Sequence, residues 1–293
     1  MKTNIPQNNN DLAPIKAIVR VTRLSVQAAQ IKAEFDDVIS EEPLQISLGW
    51  FDEQERVQVF TITMRTPGDD IGLTLGLLLS EGQITESGQI QSIDYEENEN
   101  GPLPNQLLVT FKPGFKPQMA DFQRQLITQS SCGICGKTSL KSLELKTPPA
   151  LDKTANWLDG EQLGLLPGRL LEQQSLFAQT GGVHAAALFD EHYQLLGLKE
   201  DVGRHNAVDK VIGEQLQQNN PSDRQIGKHI LLVSGRVSFE LVQKALVAGY
   251  PVLVAVGAPS SLAIQAAKRF DLTLIGFTKP GSFNVYHGQW RLK

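Results

Sequence analysis

The chain has 293 residues, of which 41% are hydrophobic and 20% charged, and its formal net charge at pH 7 is −5. This composition is typical of a globular protein and excludes a disordered or membrane-embedded chain. The negative charge excludes a broad electrostatic attraction to nucleic acid or anionic lipid, so the expected partner is a protein or a small molecule. The length exceeds that of most single domains and predicts two domains with separate cores.

Two stretches bear on where the chain resides. Residues 1–14 are polar and rich in Asn, and no apolar run follows Lys2, so they are predicted to be a disordered tail and not a secretory signal. The longest apolar stretch, residues 250–267, is interrupted by Gly257 and Pro259, which predicts a strand, a turn and a helix rather than a membrane span. We therefore expect a cytoplasmic protein, in which a C-x-x-C pair is more often catalytic or metal-binding than structural.

Residues 15–128 are predicted to form a smaller, strand-rich α+β domain. Runs of β-branched and aromatic residues predict strands at 17–24, 45–50, 57–64 and 106–111. One buried helix is predicted after Asp70, ending at Gly82. The acidic run at 96–101 is interpreted as a solvated hairpin loop rather than a docking site, because charge runs usually lie on exposed surfaces.

Residues 129–150 are predicted to be a mobile loop that links two domains, since they are rich in Ser, Lys, Gly and Thr and close at Pro148-Pro149. Both cysteines of the chain, Cys132 and Cys135, lie here in the run S-C-G-I-C-G. The two intervening residues allow both sulfurs to lie on one side of a tight turn. A loop is also a segment that can expose and withdraw a thiol.

Residues 151–293 are predicted to form a three-layer α/β/α domain, so the fold class is α/β. The periodicity predicts helices at 163–177, 205–216, 238–247 and 260–270, and strands at 183–189, 194–198, 230–233, 251–256, 272–277 and 283–286. Repeated β-α-β crossovers predict a largely parallel sheet with helices on both faces.

The thiol pair has four interpretations. Purely structural cysteines are disfavoured, because the neighbouring glycines and serines supply no core. A zinc site needs four ligands and the pair supplies two, so histidines or a second copy would have to complete it. A thioredoxin-like dithiol would follow the first strand of a small βαβ unit, whereas this pair lies mid-chain. The remaining interpretation is a persulfide carrier, and Lys137 favours the reactive thiolate.

Several turns are predicted to meet at one edge of the sheet. Free amides at a helix start, beside Arg204 and His205, can bind an anion. The alternative is that Asp201 and Asn206 cap this helix and pair with Arg204. His184 is interpreted as a hydrogen-bonded core histidine. Small residues follow two strands at this edge, and such folds bind ligands there. A site for a phosphorylated or nucleotide-bearing ligand is therefore predicted, formed by Gly181, Ser234, Gly235, Arg236 and the turn at 257–261.

Five motifs in order resemble the formate dehydrogenase accessory sulfurtransferase family, FdhD. They are S-C-G-I-C-G-K, T-G-G-V-H-A-A-A, E-D-V-G-R-H-N-A-V-D-K, L-V-S-G-R-V-S-F-E-L and V-G-A-P-S-S-L-A. The resemblance implies a cytoplasmic homodimer that accepts persulfide sulfur from a cysteine desulfurase. It also implies delivery of that sulfur to molybdenum or tungsten in the bis(molybdopterin guanine dinucleotide) cofactor, which makes formate dehydrogenase active. The cofactor is then cargo, bound through a GDP-like moiety, and not a permanent group.

The resemblance also implies residue roles. Cys132 matches the cysteine that holds the persulfide, and Cys135 is its neighbour with a role left open. The cofactor-binding segment corresponds to Phe277, Thr278, Lys279, Pro280, Gly281 and Ser282. On residues alone this segment is interpreted as a Pro-Gly turn with an exposed lysine, so the resemblance reverses that interpretation.

Two further implications concern activity. The C-terminal domain of the family resembles the cytidine deaminase fold, but the helix starts here lack the glutamate and thiolates of a zinc deaminase, so neither deamination nor a metal site is expected. Two alternatives to sulfur transfer stay open, namely a cofactor chaperone without sulfur chemistry and a thiol-disulfide oxidoreductase.

Overall fold

The computed structural model describes residues 15–27, 30–118, 140–146, 148–218 and 227–293. The predicted tail at 1–14 and both cysteines lie outside these residues. The described part of the chain contains a two-stranded ribbon, a four-stranded sheet and a six-stranded sheet. Across the same residues, no helix combines the length and the apolar character that a membrane crossing requires.

The chain begins with an antiparallel ribbon of β1 (Ile18–Gln27) and β2 (Gln30–Ile39). The sequence pattern predicted only part of β1 and missed β2. The reason is that β2 is largely exposed, and its mixture of charged and apolar residues does not give the alternation of a half-buried strand.

The four-stranded sheet has the order β4-β3-β6-β5 and carries one helix. Its elements are β3 (Glu42–Asp52), β4 (Gln54–Arg65), α1 (Asp70–Ser80), β5 (Ile90–Asn98) and β6 (Gly101–Phe111). Alternate residues of β3, including Leu44, Ile46 and Leu48, are fully buried, as expected for a strand with one face in the core. The predicted acidic hairpin is confirmed, since Asn98 pairs with Gly101 and the turn between them is exposed.

A short helix, α2 (Leu140–Leu145), lies within the segment 129–150, so the prediction of a loop is wrong for these residues. The elements after it follow the order predicted from the sequence, with the first predicted helix divided at Gln174. They are α3 (Gly160–Gln173), α4 (Ser175–Thr180), β7 (His184–Phe189), β8 (Leu195–Asp201), α5 (Arg204–Gln218), β9 (Ile230–Val233), α6 (Phe239–Ala248), β10 (Val252–Ala255), α7 (Ser261–Arg269), β11 (Thr273–Lys279) and β12 (Ser282–His287).

The six-stranded sheet has the order β12-β11-β10-β9-β7-β8. Only the pairings of β9 with β10 and of β10 with β11 are parallel, so the prediction of a largely parallel sheet is wrong. Short turns join β7 to β8 and β11 to β12, and a short turn can join only antiparallel strands. A consequence is that the first residue of β7 lies at the carboxyl end of β9.

Helices cover both faces of this sheet, which confirms the three-layer prediction. Alternate strand residues enter different buried clusters. Ala186, Leu231 and Leu253 belong to the cluster that contains α5, α6 and α7. Ala187 and Leu232 belong to the cluster that contains α3.

The two segments of the chain share one core, which differs from the expectation of separate cores. The cluster that contains α5 also contains residues of α1 and the four-stranded sheet. A Cβ atom added at Gly76 would overlap the carbonyl oxygen of Asp209, and one added at Gly213 would overlap that of Gly72. The backbones of α1 and α5 therefore touch directly in an antiparallel contact. The boundaries 15–128 and 151–293 stay a prediction.

Candidate functional site

Backbone hydrogen bonds place the predicted turns side by side at one edge of the six-stranded sheet. The amide of Ser234 donates to the carbonyl of Ala185 at 3.0 Å, and the amide of Gly257 donates to the carbonyl of Gly235 at 3.2 Å. The amide of Phe277 donates in turn to the carbonyl of Gly257 at 3.1 Å. The ends of β9, β10 and β11 and the start of β7 therefore form one continuous edge.

Arg204 begins α5 at this edge, and no other described residue forms an ion pair with its guanidinium. The carboxylate of Asp201 instead accepts hydrogen bonds from the Gly203 amide at 2.7 Å and from Asn206 Nδ2 at 3.1 Å, and it pairs with Lys210 Nζ at 2.7 Å. Within the described residues, the buried Nε of Arg204 has no hydrogen-bond partner. Asp201 and Asn206 thus stabilise the helix start, as the alternative interpretation proposed, but they leave Arg204 available to a ligand.

The absence of a side chain at Gly235 leaves a space beside His184 and Arg204 that a Cβ atom would fill at ordinary contact distances. A Cβ atom added there would lie 3.4 Å from His184 Nδ1 and 3.8 Å from Arg204 Cδ. The sequence interpretation of His184 as a hydrogen-bonded core residue is therefore wrong. His184 is only half-buried, and among the described residues no hydrogen bond to its ring is found. The antiparallel register of β7 places its first residue beside the end of β9, and no local sequence signal indicates that pairing.

His205 faces the start of α6. Its Nε2 lies 3.1 Å from Oγ of Ser238, and Ser238 is the N-cap residue of α6 although its side chain caps no amide of that helix. Burial, followed by the nearby cations Lys244 and Arg204, lowers the pKa of His205 to about 4. His205 is therefore uncharged at neutral pH.

The same electrostatic pattern applies to His184. Burial and then the Arg204 cation lower its pKa below the ordinary value, and only Asp201 acts in the opposite direction. Both shifts favour the uncharged imidazole. The positive charge of this edge belongs to Arg204 and to Arg236, which is exposed. The arrangement suits an anionic group such as phosphate.

The turn at 277–282 continues from the edge toward α3. Phe277 is 49% exposed and has a φ of 54°, a left-handed conformation that is rare for a bulky residue. Thr278 is buried, and its Oγ1 has no partner in the described part of the chain. A Cβ atom added at Gly164 of α3 would lie 3.3 Å from the carbonyl oxygen of Lys279 and from the amide of Gly281. Lys279, Pro280, Gly281 and Ser282 are exposed and therefore form the outer lip of the edge.

Gly181 has a backbone role of its own. It ends α4 with a φ of 65°, which favours glycine, and it is exposed. A Cβ atom added at the next residue, Gly182, would lie 3.1 Å from Cγ2 of Ile39 in β2. The glycine pair is thus explained by the turn and by its packing against the ribbon. Its proposed part in ligand binding stays a prediction.

The described residues on either side of the cysteine segment both contact the C-terminal end of α1. Gln83 Nε2 donates to the carbonyl of Gln118 at 3.2 Å, and Lys146 Nζ donates to the carbonyl of Ser80 at 2.7 Å. The Ser80 hydroxyl in turn donates to Asp209 at 3.0 Å. Because Asp209 lies one helical turn after His205, about 6 Å along the axis, this end of α1 is close to the candidate site.

The described residues hold no group of three or more His, Cys, Asp or Glu side chains arranged to bind a metal ion. Cys132 and Cys135 lie outside these residues. The chemistry that the geometry supports at the sheet edge is therefore the binding of an anionic ligand by Arg204, with the exposed Phe277 ring as a flat apolar surface beside it.

Comparisons with known proteins agree with the motifs. A family model described as the FdhD/NarQ family matches residues 39–293. The sulfur carrier protein FdhD of Streptomyces avermitilis is 42% identical over 273 residues, which cover 92% of this chain and 93% of the relative. That of Saccharolobus solfataricus is 39% identical over 272 residues, covering 92% and 96%.

A crystal structure from Desulfotalea psychrophila, described provisionally as a formate dehydrogenase accessory protein, has the same fold. It superposes with a TM-score of 0.69 at 23% identity, covering 95% of this chain and 100% of the other. The resemblance drawn from the five motifs is thus confirmed by a family match over most of the chain and by relatives about 40% identical. The chain belongs to the FdhD/NarQ family.

Proposed function

We propose that this protein is a sulfur carrier that receives sulfur as a persulfide on Cys132 and transfers it to the metal of a bis(molybdopterin guanine dinucleotide) cofactor. The names of the relatives support sulfur carriage. The structural observation that best supports a nucleotide-bearing cargo is the buried Nε of Arg204, which has no hydrogen-bond partner among the described residues and belongs to a side chain beside Gly235. A buried donor without a partner is costly, so a site of this kind is expected to gain one from a ligand.

The first step of the proposed reaction is a thiol exchange. The Cys132 thiolate attacks the terminal sulfur of a persulfide on a cysteine desulfurase, the S–S bond of the donor breaks, and the donor cysteine leaves as a thiolate. The terminal sulfur then resides on Cys132 as a persulfide, with no net oxidation or reduction. Attack by Cys135 on that persulfide would instead release sulfide and leave a disulfide, so Cys135 is not needed to accept sulfur.

The cargo fits the chemistry of the sheet edge. Its guanine dinucleotide parts carry diphosphate groups, which match the fixed charge of Arg204 and the exposed cations Arg236 and Lys279. A guanine ring can stack on the exposed face of Phe277. The metal centre is the substrate of the sulfur transfer and needs no ligand from the protein.

The path of the chain supports a short distance between carrier and cargo. Both described flanks of the cysteine segment contact the end of α1 at Ser80 and Gln83. That end lies one turn of α5 from His205 through the Ser80–Asp209 hydrogen bond. The attachment points of the cysteine segment and the proposed cofactor site thus lie near the same end of the α1–α5 contact.

We further propose that the chain acts as a cytoplasmic homodimer and that its product is used by formate dehydrogenase. The observation that supports a dimer is the distribution of exposed apolar side chains. Of the seventeen large hydrophobic residues exposed in the described part of the chain, ten lie between Val19 and Met64, in the ribbon and in β3 and β4. Exposed apolar surface this concentrated is typical of a protein interface.

The decisive experiment is mass spectrometry of the protein after incubation with a cysteine desulfurase and cysteine. The proposal predicts a gain of one sulfur atom on Cys132, lost in Cys132→Ala and retained in Cys135→Ala. A cofactor chaperone would show no adduct, and formate dehydrogenase would still mature with Cys132→Ala. A thiol-disulfide oxidoreductase would reduce insulin and require both cysteines. Either result would reject sulfur carriage.

A further inference from the structure

His184 occupies a position that the proposed function has not yet used. It is the first residue of β7, where it pairs with Asp201 of β8. Because Ala186 pairs with Val233 of β9, His184 is level with Gly235 on the neighbouring strand. The histidine therefore stands at the carboxyl end of β9, on the rim of the volume that Gly235 leaves open.

The side chains of His184 and Arg204, which form no hydrogen bonds with other described residues, both border that space. A Cβ atom added at Gly235 would be 3.4 Å from His184 Nδ1, 3.5 Å from its Cε1 and 3.8 Å from Arg204 Cδ. Within the described residues, the ring of His184 receives no hydrogen bond, and Nε of Arg204 has no partner although it is buried. The absence of a side chain at 235 keeps this space free between the imidazole and the guanidinium.

We propose that His184 is a specificity-determining residue that donates a hydrogen bond to a phosphate oxygen of the diphosphate held by Arg204. This inference rests on the proposed function, since the diphosphate is that of the guanine dinucleotide cargo. Gly235 is the residue that makes the contact sterically accessible. Two donors from different elements, the imidazole of His184 and the guanidinium of Arg204, select a group with at least two acceptor oxygens, which a phosphate supplies and a neutral ring does not.

The charges around His184 give the proposal a pH signature. Arg204 from α5 lowers its pKa and Asp201 from β8 raises it, while His205 is a second imidazole nearby on α5. A bound phosphate adds negative charge beside the ring and favours the imidazolium, so binding takes up a proton. The affinity of the unmodified protein is therefore expected to increase as the pH falls from about 8 to about 6, the range in which histidine titrates.

The experiment is calorimetric titration of the full-length protein with GDP as the probe, across that pH range. His184→Asn keeps a hydrogen-bond donor but cannot become charged. The dissociation constant of this variant for GDP should therefore depend less on pH, and near pH 6 it should be roughly tenfold to hundredfold higher than that of the unmodified protein. The matched control is His192→Asn, an exposed histidine in the β7–β8 turn, which should bind like the unmodified protein. The titration of the phosphate itself is common to all three proteins and cancels in the comparison.

Gly235→Ala is a second variant that does not depend on the behaviour of His184. Its methyl group fits at ordinary contact distances, so the fold and the thermal midpoint should be preserved while GDP binding is lost. Equal pH profiles for His184→Asn and the unmodified protein, or undiminished binding by Gly235→Ala, would overturn this inference and leave the nucleotide site intact. Failure of the unmodified protein to bind GDP would reject the proposed cargo site and the inference together.

Discussion

The hydroxyl of Ser80 donates a hydrogen bond to Oδ1 of Asp209 at 3.0 Å, across the contact between α1 and α5. Asp209 is buried, and both of its carboxylate oxygens accept a hydrogen bond from Lys244 Nζ, each at 2.7 Å. The helices α1 and α5 are therefore joined by a hydrogen bond to a buried, paired carboxylate as well as by direct contact between their backbones.

Removal of the Lys244 charge should destabilise the protein strongly. Lys244→Met leaves the Asp209 carboxylate buried without its cation, and we expect the free energy of unfolding to fall by about 3–5 kcal/mol. Urea denaturation followed by circular dichroism measures this. The control is Lys153→Met. The ion pair of Lys153 with Asp271 is exposed, so its loss should change the free energy of unfolding little. Equal losses in both variants would contradict the role of the buried pair.

The glycine contact between α1 and α5 gives a second prediction. Gly213→Ala places a methyl group on the carbonyl of Gly72, so the helices must separate, at a cost of about 1–3 kcal/mol. Gly168→Ala in α3 is the matched control, because nothing lies within 4 Å of its Cβ position. Alanine there should stabilise the helix by about 0.5–1 kcal/mol. Thermal unfolding of the two variants should therefore shift in opposite directions, and a shift of the same sign would count against the contact.

Arg204 is expected to matter for binding and not for stability. Arg204→Ala should weaken GDP binding by about 1.5–3 kcal/mol, because a charge-assisted contact is lost, while the thermal midpoint stays nearly constant. Arg204→Lys should recover only part of the affinity, since lysine lacks the planar fork. The control is Arg269→Ala, an exposed arginine that pairs with Glu144. A large loss of stability in Arg204→Ala would show that the guanidinium has a structural partner.

His205 predicts how stability depends on pH. Its pKa of about 4 in the folded protein lies below the ordinary value of 6.5, so the unfolded chain binds the proton more tightly. The contribution of His205 to the free energy of unfolding is fully present above pH 6.5. It is lost as the pH falls toward 4, at up to about 1.4 kcal/mol per pH unit. His205→Gln removes that slope. Denaturation at several pH values compares the two, and an unchanged slope would exclude His205 as its source.

The exposed face of the ribbon predicts the oligomeric state. Leu24, Ile31 and Phe35 are 68%, 67% and 74% exposed on one face of β1 and β2. If this face contributes to a homodimer, Phe35→Ser should shift the protein to monomer without a change in its circular dichroism. Light scattering after size exclusion measures this. Leu195→Ser, on the exposed edge strand β8, is the control. A dimer that survives both substitutions would place the interface elsewhere.

Local patterns predicted the elements of the C-terminal half well. The bounds of β9 agree with the predicted 230–233, and α6 begins directly after its N-cap Ser238, within one residue of the predicted start at 238. These features depend on short runs of apolar residues and on a single capping residue, so the information lies close together in the sequence. The turns near Arg204, Gly235 and Gly257 were also correctly predicted to meet at one edge, because each follows the end of a strand. The position of Phe277 beside them was not predicted from the residues, which indicated only a Pro-Gly turn.

Long-range relationships were not predictable in the same way. The direction of β7 relative to β9 sets His184 beside Gly235, and nothing in the run around His184 encodes that pairing. The contact of Gly76 with α5 depends on residues more than a hundred positions apart. The local sequence allowed Arg204 either to pair with Asp201 or to stay available to a ligand. In the structure Asp201 forms its ion pair with Lys210 instead of Arg204.

Direct contact between the backbones of α1 and α5 has a consequence for sulfur delivery. Two helices that meet through glycines have no side-chain layer on which to slide, so the end of α1 near Ser80 keeps one position relative to the start of α5. Gln118 and Lys146, described residues on either side of the cysteine segment, both bind at that end. A substitution that separates the two helices would therefore shift both attachment points relative to Arg204, even in a protein that still folds.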